Sequence, residues 1–86
     1  MNPKRLWERI KQGHFQNIDF SDFRKLIEAF GFEYDHQRGD HIYYRHPTVR
    51  EILNIQERRG QAKHYQVREL RDRVQEYDLE LGGSDE

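Results

Sequence analysis

The stretch GFEYDHQRGDHIYYRHP, Gly31 to Pro47, is where the pattern of the chain changes from helical to alternating. In FEYDHQ, Phe32 and Tyr34 fall on one face of an extended chain. In HIYYRH, Ile42 and Tyr44 fall on one face and His41, Tyr43 and Arg45 on the other. Arg38 and Gly39 between the two runs suit a tight hairpin turn, because glycine tolerates positive φ. Pro47 ends the second run. If Ile42 and Tyr44 are buried, apolar helices must cover that face of the sheet, and the other face stays open to water.

The flanking sequence supplies those helices. Upstream, NPKRLWERIKQG has Pro3 near a helix start and Gly13 past its end, with Leu6, Trp7 and Ile10 on one helical face. HFQNIDF has no clean period and reads as a connection whose aromatics pack down. Ser21 is the expected N-cap of DFRKLIEAF, where Phe23, Leu26, Ile27 and Phe30 form an apolar stripe that Gly31 terminates. Downstream, EILNIQ offers Leu53 and Ile55 as a third strand, and ERRGQAK reads as a polar loop. YQVRELRDRVQEY then sets Val67, Leu70, Val74 and Tyr77 on one helical face. The order α-α-β-β-β-α predicts an α+β fold, a two-layer sandwich. Its three-stranded antiparallel sheet has helices on one face, plus an N-terminal helix. Tyr34, Tyr44 and Tyr77 are expected as core aromatics with wet hydroxyls.

At 86 residues, one domain over residues 1–81 is expected, with residues 1–19 as a helical extension and 82–86 as a disordered acidic tail. The absence of cysteine excludes disulfides and zinc-thiolate sites. No apolar run approaches the roughly 18 residues of a membrane span, and no leader pattern is evident, so a cytoplasmic protein without membrane contact is expected. Residues 78–86 hold four of the 16 acids and no Lys or Arg, which leaves residues 1–77 with 15 basic groups against 12 acidic. That mild excess permits a face for RNA without demanding one.

A helix ending in GF, a strand, then GDHIYYRHP, another strand and a GQAK loop leading into a terminal helix form an ordered set of motifs over Phe20 to Leu81. This set resembles the HicA toxins of bacterial toxin-antitoxin systems, and the N-terminal helix and HYQVREL resemble a longer subgroup of that family. The resemblance implies a fold similar to double-stranded RNA-binding domains. It implies an mRNA interferase, an endoribonuclease silenced by a HicB-type antitoxin. The family's glycine falls on Gly39 and its catalytic histidine on His41. Many relatives carry Gly-Ser-His-His here, whereas this chain has Asp40 and Ile42 in place of the serine and second histidine.

The residue chemistry can be read beside that resemblance. RNA cleavage needs a base for the 2′-hydroxyl proton and an acid for the leaving oxygen, and histidine can serve as either at neutral pH. Arg45 is placed to stabilise developing phosphorane charge and Tyr43 to stack on a base. With a two-residue loop, His36 is expected opposite His41 as a second proton-transfer group, and His46 is the other candidate, though its place before Pro47 reads as structural. Arg45, Arg58, Arg59 and Lys63 are expected RNA contacts beside Gly39. Asp40 opposes phosphate approach. No cofactor is expected: His36, His41 and His46 lack a carboxylate pattern for a metal. His14 and His64 read as loop packing or a helix start. The leading function is an RNA-cleaving toxin; the alternative is a non-catalytic RNA-binding or partner-binding module on the same fold.

Overall fold

The computed structural model describes residues 1–82. Its helices are α1 (Pro3–Lys11), α2 (Phe20–Ala29) and α3 (His64–Glu76). Its strands are β1 (Glu33–Arg38), β2 (His41–His46), β3 (Val49–Arg58) and β4 (Gln61–Ala62). The expected α+β order holds with one addition. The segment read as a polar loop turns at Arg59 and Gly60 and returns as the two-residue β4, so the antiparallel meander has four strands in the order β1-β2-β3-β4 rather than three. Both turn residues have positive φ, 53° and 80°, the combination that type I′ hairpins require.

Alternation in β2 and β3 sends Ile42, Tyr44, Leu53 and Ile55 into the core. There they meet Leu6 and Ile10 of α1, the stripe of α2, and Val67, Leu70 and Val74 of α3. The N-terminal helix is therefore part of the core. Asn2 caps it by accepting the Arg5 N–H at 2.8 Å, and Trp7 sets its ring edge-on to Phe30 at 4.8 Å. Tyr44 ties the sheet to α2: its hydroxyl donates to Glu28 at 2.8 Å and accepts from Arg24 Nε at 2.9 Å.

Three local expectations are corrected. Asp19, not Ser21, caps α2, accepting the Asp22 N–H at 3.0 Å. Asp19 is kept out of the helix as a bridge to Gln61, because Ala62 N–H bonds to Ile18 C=O and Phe20 N–H to Gly60 C=O, both at 2.9 Å, so the helix begins at Phe20. Secondly, the β1–β2 turn is Gly39–Asp40 rather than Arg38–Gly39: Arg38 pairs with His41, and Gly39 takes φ +61° at the first turn position. Thirdly, Tyr34 is not a core residue. It meets Tyr44 edge-on at the sheet margin but stays half exposed, as β1 is exposed along its whole length. Tyr77 is only partly buried, its hydroxyl donating to Glu51 at 2.7 Å. Gly82, placed by the sequence reading at the start of the tail, donates its N–H to Ala29 C=O at 2.7 Å; the rest of that tail lies outside the described residues.

Gly31 ends α2 with φ +94°, and a Cβ there would meet His46 Nε2 at 3.0 Å. That nitrogen donates to Phe30 C=O at 3.1 Å. Gly31→Ala should therefore destabilise the fold by about 1–2 kcal/mol, from the left-handed backbone and the displaced imidazole together. Urea denaturation should show the loss as a lower midpoint with an unchanged slope.

Candidate functional site

One bulge and strand alternation build the open face of the sheet. Tyr34 pairs with Tyr44 but His36 pairs with Tyr43, which leaves Asp35 as an extra residue in β1. Tyr34 thereby shares the helix side with Tyr44, and His36 shares the open side with Tyr43. His36 was expected opposite His41; because the turn lies one residue later, it stands diagonal to His41 instead. Diagonal neighbours on one face are still within reach of long or aromatic side chains. The His36 and Tyr43 rings stack at 4.3 Å with 5° between planes, and the His41 ring centroid lies 6.5 Å from that of Tyr43. The stacked His36 covers one face of the ring expected to receive a base.

His41 is held at one nitrogen. Asn54, opposite Tyr43 on β3, places its Oδ1 at 3.0 Å from His41 Nδ1. An oxygen acceptor there favours the tautomer with its proton on Nδ1, and Nε2 makes no hydrogen bond among the described residues. The imidazole is thus oriented and half-exposed, with one nitrogen free. Gln56 lies directly opposite His41 and joins two charges: its amide donates to Asp40 at 3.2 Å, and its oxygen accepts from Lys63 Nζ. The Gln56 amide and a backbone N–H hold the Asp40 carboxyl below its usual range, with the nearby charges of His41 and Lys63 adding to the effect. Asp40 is therefore ionised beside His41, and Lys63 partly offsets it.

Arg45 is on the open face but is not a free cation. It contacts Glu33 at 3.5 Å and Asp35 at 3.1 Å, and the second oxygen of Asp35 holds His36 Nδ1 at 2.7 Å. The bulged carboxylate thus links His36 to Arg45 and lowers the positive field expected from this arginine. His46 is committed elsewhere: Nε2 donates to Phe30 C=O, while Nδ1 accepts from the Thr48 N–H at 3.1 Å. Neither nitrogen is left for proton transfer. Gly39 occupies the turn above His41, with open space around it. Arg58, Arg59 and Lys63 lie together on the rim of an open cleft of about 330 Å³ beyond the end of the sheet. Among the described residues, no group of three His, Asp or Glu is arranged to hold a metal ion.

Asn54 and Gln56 were not singled out from the sequence. Their signal was present, since they are the polar positions alternating with Leu53 and Ile55 in a strand whose other side faces the core. Asp35 gave none, because a bulge is a property of the pairing of two strands. Gln56→Ala should return the Asp40 pKa upward toward its ordinary value, read from the side-chain carboxyl shift in an NMR titration. The sign follows from linkage. A carboxyl whose folded pKa is depressed stabilises the fold above its unfolded pKa, and that contribution is lost as pH falls through the folded value. The variant should lose less stability than the parent on acidification.

No helix is long and apolar enough to cross a membrane among the described residues. Comparison with curated proteins gives no match, and neither does comparison with solved structures. A family model does match: residues 20–74, from the start of α2 through most of α3, fit the HicA toxin of bacterial toxin-antitoxin pairs. That segment holds the whole sheet, His41 and the turn that carries it, and spans well over half of the chain; on this ground the chain belongs to the HicA toxin family of bacterial toxin-antitoxin systems.

Proposed function

We propose that this chain is an endoribonuclease toxin that cleaves mRNA on the open face of its sheet and is silenced by a HicB-type antitoxin covering that face. The observation that carries the reading is His41: half-exposed, oriented through Nδ1 by Asn54, and without a hydrogen bond at Nε2 among the described residues. Nε2 can accept the 2′-hydroxyl proton as that oxygen attacks the adjacent phosphorus, and a protonated imidazole can give a proton to the departing 5′ oxygen. His36, diagonal to His41 and oriented by Asp35, is the second proton-transfer candidate, and His46 serves the fold. Lys63, reaching Gln56 opposite His41, is better placed than the doubly paired Arg45 to offset phosphorane charge. Arg58 and Arg59 extend that positive potential, while Gly39 leaves room for the backbone of RNA at the turn and the Tyr43 ring, stacked on His36, lies beside His41 for contact with a base. An antitoxin that supplies acids would meet Lys63 and the arginine pair, and would bury His41 and Tyr43. Such chemistry belongs in the cytoplasm, where mRNA is translated.

His41→Ala should lower RNA cleavage by roughly 10²-fold to 10⁴-fold with little change in RNA affinity or melting temperature, because the imidazole acts in the transition state and packs little. Growth arrest on expression without antitoxin should disappear with it. Undiminished cleavage by a folded His41→Ala protein would refute the assignment.

A second reading, a non-catalytic RNA-binding or partner-binding module, is favoured by Asp40, whose ionised carboxylate stands where phosphate would approach His41. The two readings part at Asp40→Ser. On the catalytic reading this change should raise cleavage by lifting a repulsion, measured as a higher kcat/KM. A parent and variant that bind RNA equally and cleave none would establish the module.

A further inference from the structure

Two clefts adjoin at the end of the sheet beyond Lys63. The first, about 330 Å³, is rimmed by Arg58, Arg59 and Lys63; the second, about 400 Å³, by Arg9 and His14; Gln16, Asn17 and His64 line both. The shared residues put the two clefts side by side in one grooved surface. Its walls come from different parts of the chain. Residues 9–17 form one wall and precede the matched segment, whereas Arg58 to Tyr65 form the other and lie within it.

The charge of this groove is one-sided. No carboxylate lines either cleft among the described residues, although 36% of the chain is charged and its net charge is −1. Arg9, Arg58 and Arg59 make no ion pair among the described residues, whereas Arg45, Arg71 and Arg73 each do. Unpaired cations gathered around a concavity raise the potential there and attract a polyanion. The packing of α1 accounts for Leu6 and Ile10 but gives no reason for Arg9 or His14 to face this way.

The walls of the groove are tied together by backbone hydrogen bonds and border the candidate catalytic face. The bonds from Ala62 to Ile18 and from Phe20 to Gly60 staple one wall to the other. Asn17 and Arg59, both on the rim, are held in left-handed backbone, with φ of 59° and 53°. A preformed groove loses little ordering entropy on binding. Lys63 lines the first cleft and reaches Gln56, the residue opposite His41, so the cleft and the candidate catalytic face share a border. Tyr65, half exposed beside Arg58 and Arg59, offers a base a stacking surface that an acidic peptide has no use for.

We infer that the N-terminal extension supplies one wall of a phosphate-binding groove that holds the RNA backbone flanking the cleavage site, at a distance from His41. The inference rests on the RNA-cleaving reading and enlarges its substrate from a short site to an extended single strand. The extension is then an RNA-binding element as well as a core element. Arg9 and His14 contact phosphates, and Tyr65 holds a base.

The test uses the full chain and uncleavable 2′-O-methyl RNA, as a tetranucleotide and as a 16-nucleotide strand. The variant is Arg9→Gln with His14→Gln, in which the glutamine at position 9 keeps most of the half-buried stem; equal melting temperatures show that folding is intact. The parent should gain affinity from the tetranucleotide to the longer strand. The variant should lose about three- to tenfold of that gain, with the slope of log affinity against log salt reduced by about 0.7 for each phosphate contact removed. If the variant binds the long strand as the parent does, with the same slope, the groove assignment fails while the RNA reading stands. If the parent binds neither RNA, both fail. If the variant loses affinity for a polyglutamate peptide and none for RNA, the groove serves an acidic protein, and the inference is overturned.

Discussion

The pairing of β1 with β2 has to absorb one extra residue, and where it does so determines what the open face presents. In an unbroken strand Tyr34 and His36 would point the same way. With Asp35 set out of register, Tyr34 follows Tyr44 to the helix side and His36 follows Tyr43 to the solvent side. The bulged carboxylate then touches both His36 and Arg45. One residue thus recruits a second histidine to the face, orients it, and offsets the positive charge of an arginine on the same face.

Tyr44 fixes the direction of everything else on β2. Its ring is fully buried, and burial pushes its hydroxyl up in pKa while Arg24 and Glu28 meet it at the surface of α2. With Tyr44 inward, His41, Tyr43 and Arg45 must face outward. A slip of one residue would bury an imidazole and a guanidinium without partners, at a penalty larger than the hairpin could recover. The same logic on β3 buries Leu53 and Ile55 and leaves Asn54 and Gln56 beside His41. Positioning of the candidate site is therefore a by-product of core formation.

Histidine illustrates how identical side chains divide by environment. His46, at the strand end, has both nitrogens bound to backbone groups and supports the close approach of Gly31. His41 has one nitrogen held and one free. His36 is held through Nδ1 and stacked on Tyr43, while His14 and His64 lie on the rim of the basic groove. Hydrogen-bond partners and packing separate these roles: Asp35 and Thr48 are close in sequence to the histidines they hold, whereas Asn54 and Phe30 reach theirs only through the fold.

The sequence determined what is periodic or local: the apolar stripes of three helices, the one-sided alternation of β2 and β3, the helix stop at Gly31, and the motif order that marks the family. Each depends on neighbours within a few residues, so composition and spacing suffice. The exact turn, the Asp35 bulge, the fourth strand and the Asp19 cap were decided by tertiary structure, because each depends on which backbone groups find partners across the chain. The site divides the same way. That His41 faces solvent followed from alternation, and its match to the family's histidine came from the resemblance. That Asn54 orients it, that Asp35 offsets Arg45, and that the N-terminal extension closes a basic groove against Arg58 and Arg59 required three dimensions. Side chains from separate elements meet there only after the core has brought them together.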